Sequence, residues 1–206
     1  FKMKLILSLI ALLFFACDNG GGVDSLGTVM SVDYGAGAPC GGSVMNYNGS
    51  IYRTYPDASG AAPLNENNLE FLAEEKLGDY SMGGYYVYHT EVIGENLWLS
   101  VVSDTSEDHF IKVLNSSGDE IASYDVGIYP GDFISWNDSY VFVANEGNYG
   151  SSNGSISIID SNGHVNNTGA IGDVVQSLEI FYGDSVDKLI VLINNSHQIK
   201  IFDIIP

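Results

Sequence analysis

Four short stretches of this chain repeat one pattern at a nearly constant interval. Leu69-Glu70-Phe71-Leu72, Ile111-Lys112-Val113-Leu114, Ile156-Ser157-Ile158-Ile159 and Ile199-Lys200-Ile201-Phe202 begin 42, 45 and 43 residues apart. Within the last three copies apolar residues recur at every second position. Ile111 and Val113, Ile156 and Ile158, and Ile199 and Ile201 therefore share one face of a strand, while Lys112, Ser157 and Lys200 point to the other. A helix makes no such pairs. A strand-built period of this length implies four-stranded units that cannot bury their faces alone and must stack on their neighbours.

The flanking residues repeat as well. Leu97 to Val102 precedes the second copy and the turn Asn115-Ser116-Ser117-Gly118 follows it; Tyr140 to Asn145 and Asp160-Ser161-Asn162-Gly163 bracket the third. Both copies close on an aliphatic-Gly pair, Val126-Gly127 and Ile171-Gly172, with each Gly 16 residues after the start of its tetrapeptide. The fourth copy keeps Leu189 to Ile193. The first is the most divergent, with Ile51 to Tyr55 before it and a short outer segment ending at Leu77-Gly78. Runs such as Val141 to Ala144 and Leu189 to Ile193, apolar at consecutive positions, read as middle strands covered on both faces. Asn68 to Leu77 is the nearest approach to an amphipathic helix, and the repeat assigns it to strand. The expected fold is all-β, a β-propeller of four-stranded antiparallel blades, with about three and a half blades in the sequence.

At the N-terminus, Lys2 and Lys4 precede an uncharged run from Leu5 to Ala16, a basic n-region and an apolar h-region too short to span a bilayer. This is an export signal. It ends Phe14-Phe15-Ala16-Cys17, which resembles the lipobox of bacterial lipoproteins, with Phe14 where that family usually has Leu. The resemblance implies cleavage before Cys17 and lipidation of its sulfur. It divides the chain into a signal peptide (1–16), a lipid anchor and Gly-rich tether (17–27) and the propeller domain (28–206). Several acyl chains on one Cys anchor a protein stably. The expected location is the bacterial cell envelope, on its periplasmic or surface face.

Removing that signal takes away two of the seven basic residues and none of the 26 acidic ones, so the mature charge moves from −19 to −21. Such a surface repels phosphate, which excludes nucleic acid as a partner. With Cys17 lipidated, Cys40 is left alone and no disulfide framework holds the fold. The chain begins Phe1-Lys2, has Met only at position 3 and stops where the outer strand of the fourth copy is due. The expectation is a fragment of a longer reading frame. A closed ring of four blades is the alternative, with Thr28 to Val32 supplying the missing outer strand.

The third unit, Tyr140-Val141-Phe142-Val143-Ala144-Asn145 followed by Gly154-Ser155-Ile156-Ser157-Ile158-Ile159-Asp160, resembles the YVTN-type β-propeller repeat. Val126-Gly127-Ile128-Tyr129-Pro130-Gly131 is similar to that family's Val-Gly-x-x-Pro link. The likeness implies a fold and an exported protein, and it carries over no catalytic residues.

Catalytic patterns are wanting. Gly150-Ser151-Ser152-Asn153-Gly154 spells a nucleophile elbow but enters a strand where that motif needs a helix. His89, His109, His164 and His197 show no metal-ligand spacing. In a four-stranded blade the loop between the second and third strands shares a rim with the link to the next blade. Asp104, Glu107 and Asp108, Glu146 and Tyr149, and the link residues Asp79, Asp132 and Asp173 are therefore expected on one acidic rim. The reading is a membrane-anchored, non-catalytic propeller that binds a protein or glycan through this rim. Its alternative is a calcium-dependent, lactonase-like hydrolase using Asn145, Glu146, Asn194 and Asn195, oxygen donors of the kind calcium takes. No other cofactor is called for.

Overall fold

The computed structural model describes residues 43–54, 60–65, 70–80, 83–103, 105 and 107–205. Among the described residues fifteen strands form four antiparallel sheets. The first is β1 (Val44–Tyr47), β2 (Ser50–Arg53), β3 (Ala62–Asn65) and β4 (Glu70–Phe71). The second is β5 (Tyr86–Ile93), β6 (Asn96–Val102), β7 (Phe110–Leu114) and β8 (Glu120–Asp125). The third is β9 (Pro130–Trp136), β10 (Tyr140–Asn145), β11 (Ser155–Asp160) and β12 (Val165–Asn167), and the fourth is β13 (Val175–Phe181), β14 (Lys188–Ile193) and β15 (Gln198–Asp203). Each sheet is a meander in chain order, and the leading strands touch in sequence, β1 with β5, β5 with β9 and β9 with β13. These are the blades of a β-propeller, three with four strands and one with three.

The core lies between blades. Leu97, Leu99 and Val101 of β6 pack with Tyr47 and Ala61 of the first blade, while Trp98, one residue out of phase, packs with Phe133 and Val141 of the third. In β10, Val141 and Val143 turn to the second blade, and Phe142 and Ala144 turn to Leu178, Leu189 and Val191 of the fourth. A strand covered on both sides has no room for alternation, which explains its continuous apolar sequence. Each fully buried Leu, Ile or Val contributes about 1.5–3 kcal/mol over its exposed state. Among the polar links between the last two blades, Trp136 Nε1 donates to Asp187 Oδ2 at 2.8 Å.

The repeated turns have a common mechanism. Asn115 Oδ1 accepts the N–H groups of Ser117 and Asp119, and Asp160 Oδ1 accepts those of Asn162 and His164. Three residues on, Gly118 (φ +83°) and Gly163 (φ +82°) take the left-handed conformation that completes the hairpin.

One strand assignment needs correction. The repeat places Leu69 to Leu72 in a third strand, like Ile111 to Leu114, Ile156 to Ile159 and Ile199 to Phe202. In the structure β4 (Glu70–Phe71) is the outer strand of its sheet, and β3 (Ala62–Asn65) is the third. Third and outer strands carry the same two-residue period, so the near match of 42 to 45 residues conceals a shift of one strand. The segment after it, Ala73–Glu75, is a short 3-10 turn.

Candidate functional site

Three of the four leading strands break register at the same level. In β5, Val87 pairs with Val101 and His89 with Ser100, leaving Tyr88 as an extra residue. In β13, Val175 pairs with Ile193 and Ser177 with Leu192, leaving Gln176 extra. In β9, Gly131 and Asp132 together face the single residue Ala144. These are β-bulges, which bend a strand and re-aim its side chains. They recur with the period of the repeat.

The bulged residues line one cleft of about 320 Å³, with Tyr88 and His89 from β5, Gly131 and Asp132 from β9, Gln176 and Ser177 from β13, and Glu146 from the end of β10. Tyr88 donates its hydroxyl to Glu146 Oε1 at 3.2 Å. Asp132 Oδ2 accepts Leu178 N–H at 2.7 Å and the Ser177 hydroxyl at 3.2 Å, so it ties β9 to β13 and leaves Oδ1 toward His89 Nε2, 3.8 Å away. The His89 ring stands edge-on to Phe133 at 5.0 Å, and its buried Nε2 has no hydrogen-bond partner.

Electrostatics in the cleft follow from burial. Desolvation raises Glu146 above the ordinary carboxylate range, opposed by the Tyr88 hydrogen bond. Glu91, two residues past His89 on β5, is raised by burial and then by the charge of Asp132. His89 is lowered by burial, against the pull of Asp132. Tyr88 is held protonated by its burial and by Glu146. The cleft offers carboxylate, imidazole, amide and hydroxyl groups, and among the described residues neither Lys nor Arg lines it.

The β10–β11 loop is hydrogen-bonded through its backbone to the links on either side of the third blade. Glu146 N–H donates to Tyr129 O, Gly147 N–H to Ile128 O, Gly154 N–H to Gly172 O and Val174 N–H to Glu146 O. The acidic residues expected on one rim divide into three kinds of surroundings. Asp132, within β9, and Glu146 face the cleft. Asp173 is buried, accepts Gly150 N–H with both oxygens at 3.0 Å and takes a hydrogen bond from Asn195 Nδ2. Glu107, Asp108 and Tyr149 are exposed, as is Asp79, which pairs with Lys76 at 3.3 Å. Asp104 and Cys17 lie outside the described residues.

Three of the four residues named for calcium do not line the cleft. Asn145 is fully buried, its Nδ2 donating to Ser155 and Ser157 at 3.1 and 2.8 Å inside the blade, and Asn195 is held by Asp173. Glu146 alone of the four reaches the cleft. Among the described residues no three His, Cys, Asp or Glu side chains form a metal-binding group.

Sequence reasoning missed Tyr88, His89, Gln176 and Ser177. The signal for them is a break in strand alternation, 44 residues apart at Tyr88, Asp132 and Gln176.

No family model matches the chain, and no curated protein matches it. Among solved structures it is similar to a hydrazine synthase of Kuenenia stuttgartiensis, with 12% identity and a TM-score of 0.57 over 75% of this chain and 49% of that one. It is also similar to a protein of unknown function from Bacteroides caccae, with 14% identity and a TM-score of 0.53 over 84% of this chain and 64% of that one. The chain spans about half the length of the first and less than two thirds of the second. At such identities the likeness is one of fold.

Proposed function

We propose that this protein is an exported lipoprotein, tethered to the cell envelope through Cys17, whose YVTN-like propeller is a non-catalytic binding module for a hydroxyl-rich, uncharged ligand such as a glycan. The observation that carries the reading is the alignment of three β-bulges on one cleft. A bulge costs ladder pairing, and three at one level present five side chains from three blades to a common space, with Glu146 beside them. Sugar hydroxyls donate to carboxylates and accept from amides, and a cleft of about 320 Å³ lies within the range of small-ligand sites. An anionic ligand would meet Asp132 and Glu146 with no cation to balance them. The hydrolase reading is weaker, because Asn145 is fully buried inside its blade and neither it nor Asn195 lines the cleft.

Binding is tested by calorimetry against a panel of neutral and acidic oligosaccharides. Glu146→Gln and Gln176→Ala are expected to weaken a neutral hit about tenfold, roughly the loss of one hydrogen bond, without lowering the melting temperature. No binding across the panel, or binding indifferent to both variants, would sink the proposal. The anchor is tested separately: Cys17→Ala should abolish partition into detergent, and unchanged partition would exclude the lipid.

A further inference from the structure

Side chains at matching positions of the repeat join one leading strand to the next. Thr90 of β5 lies opposite Leu99, Phe133 of β9 opposite Val143 and Leu178 of β13 opposite Val191, and those three second-strand residues are fully buried. At two of the three junctions the N–H at this level is taken by a side chain on or beside the preceding leading strand. Ser43 Oγ, next to β1, accepts Thr90 N–H at 3.1 Å, and Asp132 Oδ2 accepts Leu178 N–H at 2.7 Å. One residue earlier on the three strands stand His89, Asp132 and Ser177, which therefore occupy one level of successive blades. Ser177 and Asp132 are joined, hydroxyl to Oδ2, at 3.2 Å. His89 and Asp132 are not: Nε2 stops 3.8 Å from Oδ1, beyond hydrogen-bond reach, and although buried it has no hydrogen-bond partner. Both side chains line the cleft. The polar belt thus has one open link, and that link faces the ligand space.

We propose that one free hydroxyl of the ligand closes this link, accepting His89 Nε2–H and donating to Asp132 Oδ1, so that these two residues decide which alcohol the cleft takes. The inference rests on the reading of the cleft as a glycan site and names the group that it reads. An oxygen about 2.8 Å from each atom spans a separation of 3.8 Å. Burial lowers the His89 pKa, which keeps the imidazole neutral at pH 7, and the facing carboxylate favours the tautomer with its proton on Nε2. The pair then offers one donor and one acceptor, which a hydroxyl satisfies in full. An O-methyl group accepts but cannot donate. A carboxylate is repelled by Asp132, and an ammonium needs the other tautomer, with the Nε2 lone pair turned toward the carboxylate. Asp132 spends its second oxygen on Leu178 and Ser177, and Phe133 supports the imidazole edge-on at 5.0 Å. Both ligating atoms are therefore in place before the ligand arrives.

The probes are the tightest neutral sugar of the oligosaccharide panel and its monodeoxy, mono-O-methyl and monoamino derivatives, titrated by calorimetry into the protein and its His89→Phe variant. At one position of the sugar the deoxy and O-methyl derivatives should each bind the parent protein at least about tenfold more weakly than the sugar itself. In His89→Phe that penalty should fall below about twofold, while penalties at other positions persist. His89→Gln, which keeps an N–H donor, should retain part of it and serves in place of His89→Phe if that variant does not fold. The Nε2 resonance of His89 in nitrogen-labelled protein should shift with the sugar and stay in place with the derivative that lacks this hydroxyl. A sugar that binds with no penalty coupled to His89, or without moving that resonance, overturns the inference and leaves the glycan reading standing. Tighter binding of the amino derivative at the same position overturns it too. No binding across the panel overturns the glycan reading, and this inference with it.

Discussion

Asp173→Ala separates a structural carboxylate from a ligand carboxylate on the same rim. The native side chain is 5% exposed. Its oxygens accept Gly150 N–H from the β10–β11 loop and the Asn195 amide from the β14–β15 turn, and its own N–H donates to Ser196 Oγ at 2.9 Å. The substitution leaves that last bond and removes the other two acceptors. Hydrogen bonds to a charged group contribute about 1.5–3 kcal/mol each; Gly150 is exposed and water replaces its partner in part, so the expected loss is about 2–4 kcal/mol. For a chain of this size each kcal/mol moves the melting point about 2–4 °C, which predicts a fall of roughly 5–15 °C. Removing one negative charge from a protein of net charge −19 acts the other way, though weakly, because salt screens it. Asp173→Asn should fall in between, keeping an acceptor for Gly150 while setting one amide against another at Asn195. Thermal denaturation followed by circular dichroism reads both. A melting point for Asp173→Ala within about 1 °C of the parent would refute the clamp and return Asp173 to the candidate ligands.

Three further outcomes are expected. Gly154→Ala places a Cβ 2.7 Å from Glu146 O and 2.9 Å from Gly172 O, backbone atoms that cannot swing aside; it should lower the urea midpoint by the equivalent of about 1–3 kcal/mol, while Gly169→Ala, with nothing within 4 Å, should leave it unchanged. Trp136→Phe removes the donor to Asp187 and should cost about 1–3 kcal/mol, with the loss read at the same midpoint. His89 is lowered by burial from 6.5, so its neutral form contributes stability that is complete above that value and is lost as pH falls through the folded pKa; Glu91 and Glu146, both raised, act in the opposite sense at lower pH. The melting-point difference between the parent and His89→Gln should therefore shift against the parent between about pH 7.5 and about pH 5.5, and a constant difference would contradict the buried neutral imidazole.

Much of the architecture was legible because propeller packing is written in local pattern. Alternation in Ile156-Ser157-Ile158 marks a strand, the unbroken run Val141 to Ala144 marks a middle strand, and Asx and Gly at a fixed offset mark the hairpin between the third and outer strands. The first blade misled the reading because a third and an outer strand share one period, and only pairing tells them apart. The cleft was less legible. Counting acidic residues by loop and link led to Asp173, which the fold uses as a clamp, and placed Asp132 in a link when it sits within β9. At Tyr88 and Gln176 the sequence shows only a break in strand alternation, and that break identifies a bulge once the pairing of two strands is known.

Among the described residues the main contacts of each leading strand with another run to the next, β1 to β5 to β9 to β13, so the blades behave thermodynamically as a line of coupled units. Strain at one end fades with distance along that line. Opening of Val44 to Arg53 removes a cover from the second blade, yet it breaks none of the bonds by which Asp132 joins β9 to β13. The cleft between the second, third and fourth blades thus keeps its shape through fluctuations that unfold the first, and recognition can persist in molecules that a global probe would count as partly melted.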